Sequence, residues 1–121
     1  MHRDIKCGNI MIDTEGNTKI IDFGYASFIP EKGYLQSGRV GSLYWMAPEI
    51  YKKQFYNEKC DIWSFGIAIL EMITGDPPYY GSSVSKEEVV NKLTHGIIPI
   101  PKDIPQNMNS FIRKCLKENP E

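Results

Sequence analysis

His2-Arg3-Asp4-Ile5-Lys6-Cys7-Gly8-Asn9, with Asp22-Phe23-Gly24 close behind it, is the stretch from which the fold of this chain is read. Between the two lie Ile10-Met11-Ile12-Asp13 and Lys19-Ile20-Ile21, short apolar runs separated by Thr14-Glu15-Gly16-Asn17. Two such runs around a turn-forming cluster predict a β-hairpin. The hairpin would hold Asn9 and Asp22 at neighbouring ends of its strands, facing one point. A carboxylate and an amide oxygen there offer hard oxygen ligands, which suit Mg²⁺ carrying phosphates. Asp4, on the loop ahead of the hairpin, is placed to accept a proton from an incoming hydroxyl.

The remaining composition narrows the classes. At 121 residues, with 41% hydrophobic and 24% charged residues, the chain is long enough for one modest core and ordinary for a globular protein. A formal net charge of -1 supplies no basic field for nucleic acid or for an acidic membrane. Cys7, Cys60 and Cys115 are odd in number and widely spaced, which fits no disulfide framework or zinc spacing and points to a reducing, cytoplasmic setting. The longest apolar stretch is broken by Gly66 and Glu71 and is too short to span a bilayer. No secretory leader is visible at the N-terminus.

Taken in this order and joined by a hairpin, the two motifs resemble the catalytic loop and the metal-binding loop of eukaryotic protein kinases. The resemblance runs along essentially the whole chain. It implies residues 1-121 of a kinase domain, with catalytic loop 2-9, activation segment 22-49 and a central helix over about 58-74. The implied fold is a C-terminal lobe, mostly α with a small antiparallel β-hairpin. The family's N-terminal lobe supplies a glycine-rich loop, a phosphate-binding lysine and its helix glutamate, and none of these is in the sequence. Cys115–Glu121 resembles the approach to a late arginine of the family that the sequence does not reach. The sequence is therefore read as a fragment cut at both ends, with the N-lobe absent.

The resemblance also implies roles. Asp4 is the catalytic base, and Lys6, whose position marks the serine/threonine class, steadies the transferring phosphoryl group. Asn9 and Asp22 hold Mg²⁺, and Met11 floors the adenine pocket for ATP unless it is simply a core methionine. His2 is a packing and hydrogen-bonding residue under Phe23, and Gly24 completes the metal loop. Gly8 stands where basophilic kinases often carry a glutamate, which weakens a strong preference for basic substrates. Arg3 would capture an activation-loop phosphate, a charge-assisted contact suited to its planar fork. The polar middle of that loop, Ile29–Arg39, contains the candidate phosphosite Ser37, with Tyr34 and Ser27 as weaker candidates. Two departures bear on that regulation: Gly38 stands where relatives often have threonine, and Ser27 where a second basic residue is common.

Val40-Gly41-Ser42-Leu43-Tyr44-Trp45-Met46-Ala47-Pro48-Glu49 is the most specific later match, resembling the sterile-twenty-like and p21-activated-like serine/threonine kinases. Ser42 keeps a hydroxyl able to bond Asp4 and Lys6. Leu43 and Trp45 would shape the substrate pocket, although a tryptophan is also ordinary core material. Glu49 would lack its usual arginine partner and be a buried unpaired charge.

A helix from Asn57 and Glu58, apolar all round and stopped by Gly75-Asp76-Pro77, reads as buried and central. Asp61 at its start would bond the catalytic-loop backbone or serve only the helix dipole. Glu71 would read a substrate arginine or bond locally. Ser85-Lys86-Glu87-Glu88 opens a helix to about Thr94. A last helix over about 107-117 places Met108, Phe111, Ile112, Cys115 and Leu116 on one face.

The implied activity is Mg-ATP-dependent phosphorylation of serine or threonine in protein substrates, with an upstream activating kinase. The alternative is a catalytically incomplete helical binding module.

Overall fold

The computed structural model describes residues 1–31 and 35–119. The predicted hairpin is present: β1 (Ile10–Ile12) and β2 (Thr18–Ile20) pair antiparallel, with Ile10 opposite Ile20 and Ile12 opposite Thr18. Asp13 closes its turn. One carboxylate oxygen accepts the backbone N–H groups of Glu15 at 2.9 Å and Asn17 at 2.8 Å, and the other accepts the Asn17 amide at 3.0 Å. Those bonds, led by the Asn17 side chain, favour the ionised form and hold the Asp13 carboxyl below its ordinary range. Both strands lie largely open, with Ile12 69% exposed.

Four α-helices follow among the described residues. The short α1 (Pro48–Tyr51), absent from the sequence-based expectation, starts on a proline whose fixed φ suits a first helical position. The central helix α2 (Lys59–Thr74) begins where expected, and Asn57 Oδ1 accepts the Lys59 N–H at 3.0 Å. It ends on Gly75, whose φ of 93° lets its N–H return to the Glu71 carbonyl at 2.8 Å. In α3 (Lys86–Thr94) the Ser85 hydroxyl accepts the Glu88 N–H at 3.2 Å, the cap foreseen from sequence. The last helix, α4 (Gln106–Cys115), is slightly shorter than expected at its C-terminal end.

The core forms where these helices meet. Ile67 and Leu70 of α2, Val89 and Leu93 of α3, and Ile112 of α4 are fully buried. Each contributes about 2 kcal/mol of burial, which fixes α2 at the centre. Gly66 permits the approach of α4, since a Cβ there would sit 2.8 Å from Cys115 Cβ and 2.9 Å from a Leu116 methyl.

Two expectations are corrected. Helix α2 is apolar all round but not buried all round: Ile62, Phe65, Met72 and Ile73 remain exposed. On α4, Ile112, Cys115 and Leu116 go inward, while Met108 and Phe111 stay out. Phe111 meets Phe65 edge-on at 6.4 Å, so the two exposed faces touch at one rim. An all-round apolar pattern requires cover on every side, and the described residues supply it on only one. No helix among the described residues is long and apolar enough to cross a membrane.

Candidate functional site

The catalytic loop is anchored from below by Asp61 in the first turn of α2. Its two carboxylate oxygens accept the backbone N–H groups of His2 at 2.6 Å and Arg3 at 2.7 Å. Bonds to an ionised acceptor are the strong ones, and here they hold Arg3 at a φ of 69°. A non-glycine residue in that left-handed region persists only where its surroundings over-determine it. The structure thus takes the anchoring reading of Asp61.

His2 is buried and structural, as expected. Its Nδ1 accepts the Asp4 N–H at 3.2 Å, which puts the ring proton on Nε2, where it donates to the Ile21 carbonyl at 3.0 Å. Phe23 packs edge-on to the ring at 5.0 Å. One imidazole therefore joins the loop carrying Asp4 to the strand end preceding Asp22.

Asp4 sits at the middle of a polar knot and is only 5% exposed. One carboxylate oxygen accepts the Ser42 backbone N–H at 2.9 Å, and the other accepts the Asn9 amide at 3.1 Å. Lys6 Nζ lies 3.5 Å from that second oxygen and donates to the Ser42 hydroxyl at 2.8 Å. The Ser42 hydroxyl thus serves Lys6, while the bond to Asp4 comes from its main chain. Asn9 ends a 3-10 turn, Cys7–Asn9, that lets its amide also reach the Asp4 carbonyl at 2.9 Å. With the NH₂ committed to Asp4, the amide oxygen of Asn9 makes no hydrogen bond among the described residues. Gly41 brings the activation segment this close: its φ is 103°, and a Cβ would fall 2.4 Å from the Arg3 carbonyl oxygen.

Asp22 is placed differently. The Ile21 N–H donates to the Asn9 carbonyl at 2.9 Å, so Asp22 follows directly on the strand end beside Asn9. Its own side chain is exposed and accepts only the Gly24 N–H, at 3.2 Å, among the described residues. Asp4 and Asn9 are in contact; Asp22 stands next to them through the backbone, with no hydrogen bond to either. Met11 is 53% exposed on β1, on the open hairpin rather than in the core.

Around Gln36 the activation segment is held by Tyr56. Gln36 and Tyr56 exchange backbone hydrogen bonds of 2.7 and 3.0 Å, and the Tyr56 hydroxyl donates to the Gly38 carbonyl at 3.1 Å. Arg3 spends Nε on the Tyr25 carbonyl at 2.6 Å, and its Nη1 meets the Tyr56 hydroxyl at 3.4 Å. Ser37 is exposed beside this bridge. Tyr34 lies outside the described residues.

Leu43 and Trp45 bound a 3-10 turn whose Leu43 carbonyl takes the Tyr51 hydroxyl, and burial pushes the Tyr51 phenol well above its ordinary range. Trp45 is held to α2 twice, its carbonyl accepting the Ser64 hydroxyl at 2.8 Å and its indole N–H donating to Glu71 at 2.8 Å. Glu49 is 9% exposed and makes no ion pair among the described residues. Burial pushes its carboxyl up, with the Lys52 charge opposing only in part.

Reasoning from sequence missed Ser64, Tyr56 and Gly41. Ser64 had a readable signal, because Asp61, Ser64 and Glu71 are the polar interruptions of one helix face.

The whole chain, residues 1–121, matches the family model for the protein kinase domain. It is 45% identical over 119 residues to the mitogen-activated protein kinase kinase kinase 1b of Physcomitrium patens, covering 97% of this chain and 15% of that protein. Against the serine/threonine-protein kinase dst3 of Dictyostelium discoideum identity is 43% over 122 residues, covering 98% of this chain and 21% of that protein. Against the serine/threonine-protein kinase STE20 of Saccharomyces cerevisiae it is 38% over 123 residues, covering 100% and 13%. The chain therefore spans about a fifth or less of the length of the curated relatives it matches. Both the anchored loop and these similarities lead to one conclusion: the chain belongs to the protein kinase domain family, on its sterile-twenty-like serine/threonine side.

Proposed function

We propose that this chain forms the catalytic half of a serine/threonine protein kinase, which moves the γ-phosphoryl group of ATP to a serine or threonine hydroxyl of a protein substrate. The observation that carries this reading is the knot in which Asp4 meets Lys6, Asn9 and Ser42. A carboxylate fixed on three sides presents its remaining lone pairs in one direction, as a base for an incoming hydroxyl must. Lys6, tied to Ser42, holds a positive charge beside that oxygen, where negative charge on a transferring phosphoryl group would be met.

Mg²⁺ supplies charge neutralisation of the phosphates when bound. The donor set fits it: a free amide oxygen on Asn9 and an exposed carboxylate on Asp22 are hard ligands on adjacent strand ends. Among the described residues no cluster of three or more His, Cys, Asp and Glu exists. The site therefore suits a metal that takes most of its ligands from phosphate and water.

No Gly-x-Gly spacing, which the family's phosphate-covering loop carries, occurs in residues 1–121. The isolated chain is then catalytically silent and available only for binding, which is the second reading. Capture of a phosphate on Ser37 by Arg3, placed there by an upstream kinase, would fall first to its Nη2, since Nε and Nη1 already serve Tyr25 and Tyr56. The three free cysteines support an intracellular setting.

The test is phosphate transfer to a protein substrate by a kinase domain containing this chain. Asp4→Asn should lower the rate about 10³-fold. A variant that kept the full rate would remove Asp4 from the chemistry.

A further inference from the structure

Glu71 lies on α2 ten residues beyond Asp61, on the same face. One of its carboxylate oxygens, Oε2, accepts two donors: the backbone N–H of Cys7 at 3.1 Å and the indole N–H of Trp45 at 2.8 Å. Cys7 belongs to the turn between Lys6 and Asn9, and Trp45 to the turn that begins at Ser42. These two segments meet at their other ends, where the Ser42 N–H bonds Asp4 and the Ser42 hydroxyl bonds Lys6.

We infer that Glu71 is a positioning residue that ties the catalytic loop to the activation segment through a single carboxylate oxygen, rather than a reader of a substrate arginine.

Neighbouring bonds make the same junction. The Cys7 thiol donates to the Ala68 carbonyl at 3.3 Å, and the Ser64 hydroxyl to the Trp45 carbonyl at 2.8 Å. Residues 61, 64, 68 and 71 form one stripe of α2, since positions three and four apart share a helix face. Each of them holds either the catalytic loop or the turn at Trp45. Burial, with the Glu71 carboxylate beside it, pushes the Cys7 thiol up to about 12, as expected of a charge held against that turn. An arginine is held most strongly by a paired, two-oxygen contact, and here Oε2 is already committed twice, which leaves Oε1 alone for such a reader. The clamp stands on geometry alone; its consequence for rate rests on the kinase reading.

The chain has two tryptophans, which gives two indole N–H signals in a ¹⁵N-labelled sample. Trp63 Nε1 is buried with no hydrogen-bond partner among the described residues and serves as the internal reference. In the 121-residue chain, Glu71→Gln should move the Trp45 indole proton upfield, because a neutral acceptor bonds more weakly, and leave Trp63 in place. Glu71→Ala should speed exchange of the Trp45 indole proton about tenfold or more. An unmoved Trp45 signal in Glu71→Gln overturns the clamp. If Glu71→Ala does not fold and both signals collapse, the near-isosteric Gln variant still decides.

In a kinase domain containing the chain, Glu71→Ala should lower kcat at least about tenfold, equally for peptides with and without an arginine near the acceptor. A loss confined to the KM of the arginine peptide overturns the inference in favour of arginine reading. Absence of all phosphate transfer by the unsubstituted enzyme would instead fail the kinase reading, with the indole signals still reporting on Glu71.

Discussion

The two halves of the candidate site are built to different standards. Around Asp4 the polar groups hold one another: Asp61 holds the loop backbone, Asn9 and Ser42 hold the carboxylate, and Lys6 bridges to Ser42. Around Asp22 little is answered. Its carboxylate meets one backbone N–H, Phe23 is 65% exposed, and the hairpin leading to it faces outward along most of its length. A groove of about 630 Å³ lies between the hairpin and the first turns of α2, lined by His2, Ile10, Ile20, Ile62 and Phe65 among others. The chain thus pre-organises the Asp4 half from its own residues. The Asp22 half is held through one imidazole and one strand bond.

Asp61→Asn should do the most damage to that contrast. An asparagine offers one acceptor oxygen where two donors, His2 N–H and Arg3 N–H, now find two. One N–H would face an NH₂, and the left-handed backbone at Arg3 would lose half its support. A lost charge-assisted bond together with an unsatisfied buried donor costs about 2–3 kcal/mol. Urea unfolding should show that loss, with faster amide exchange in residues 2–9 before residues 10–20 respond. If the variant is as stable as the unsubstituted chain, the anchoring of the loop by α2 is not what distinguishes the two halves.

How much of this was legible in the sequence follows the same division. The hairpin, the start of α2 after Asn57 and the cap at Ser85 were readable because each is a local rule: turn residues between apolar runs, or an oxygen two or three residues ahead of a free N–H. The roles of Asp61 and His2 came from the family resemblance, and the bonds are there. What sequence did not disclose is cover. Ile62, Phe65, Met108 and Phe111 are apolar enough to be core, but no short-range pattern says whether another element lies over them. The partners of Glu71 were equally hidden, because Cys7 and Trp45 come from segments far apart in the chain. Gly41 was quoted within a motif, yet its reason, the approach of its backbone to Arg3, exists only in three dimensions.

Glu49 separates burial from pairing as the source of order. It is as enclosed as the groups around Asp4 but has no cation to answer it among the described residues. Its carboxyl is pushed above the ordinary glutamate range by burial, so the folded state prefers the protonated form. That preference stabilises the fold below the ordinary glutamate pKa and is lost as pH rises through the folded one. At neutral pH the ionised side chain therefore works against folding. Glu49→Gln should raise stability by about 1 kcal/mol at pH 7, and the advantage should shrink towards zero in acid. Urea titrations at both pH values check this; a variant less stable at pH 7 would mean the carboxylate has a partner after all.

Asp22→Asn should have the smallest effect on the fold and sharpens the contrast most directly. The side chain is exposed, its φ of 61° suits asparagine as well as aspartate, and an amide oxygen can still accept the Gly24 N–H. Stability should change by less than about 0.5 kcal/mol. If Asp22 is a metal ligand, the same change removes the negative charge that holds Mg²⁺, and phosphate transfer by a kinase domain containing the chain should fall steeply and recover in part at raised Mg²⁺. A full rate at unchanged Mg²⁺ would take Asp22 out of the metal site. A loss of stability as large as that of Asp61→Asn would show instead that the open half is wired as tightly as the closed one. On the proposed reading the contrast has a physical reason: a metal-ligand position could be left loose because binding would supply its order, whereas a base would have to be in place before its substrate.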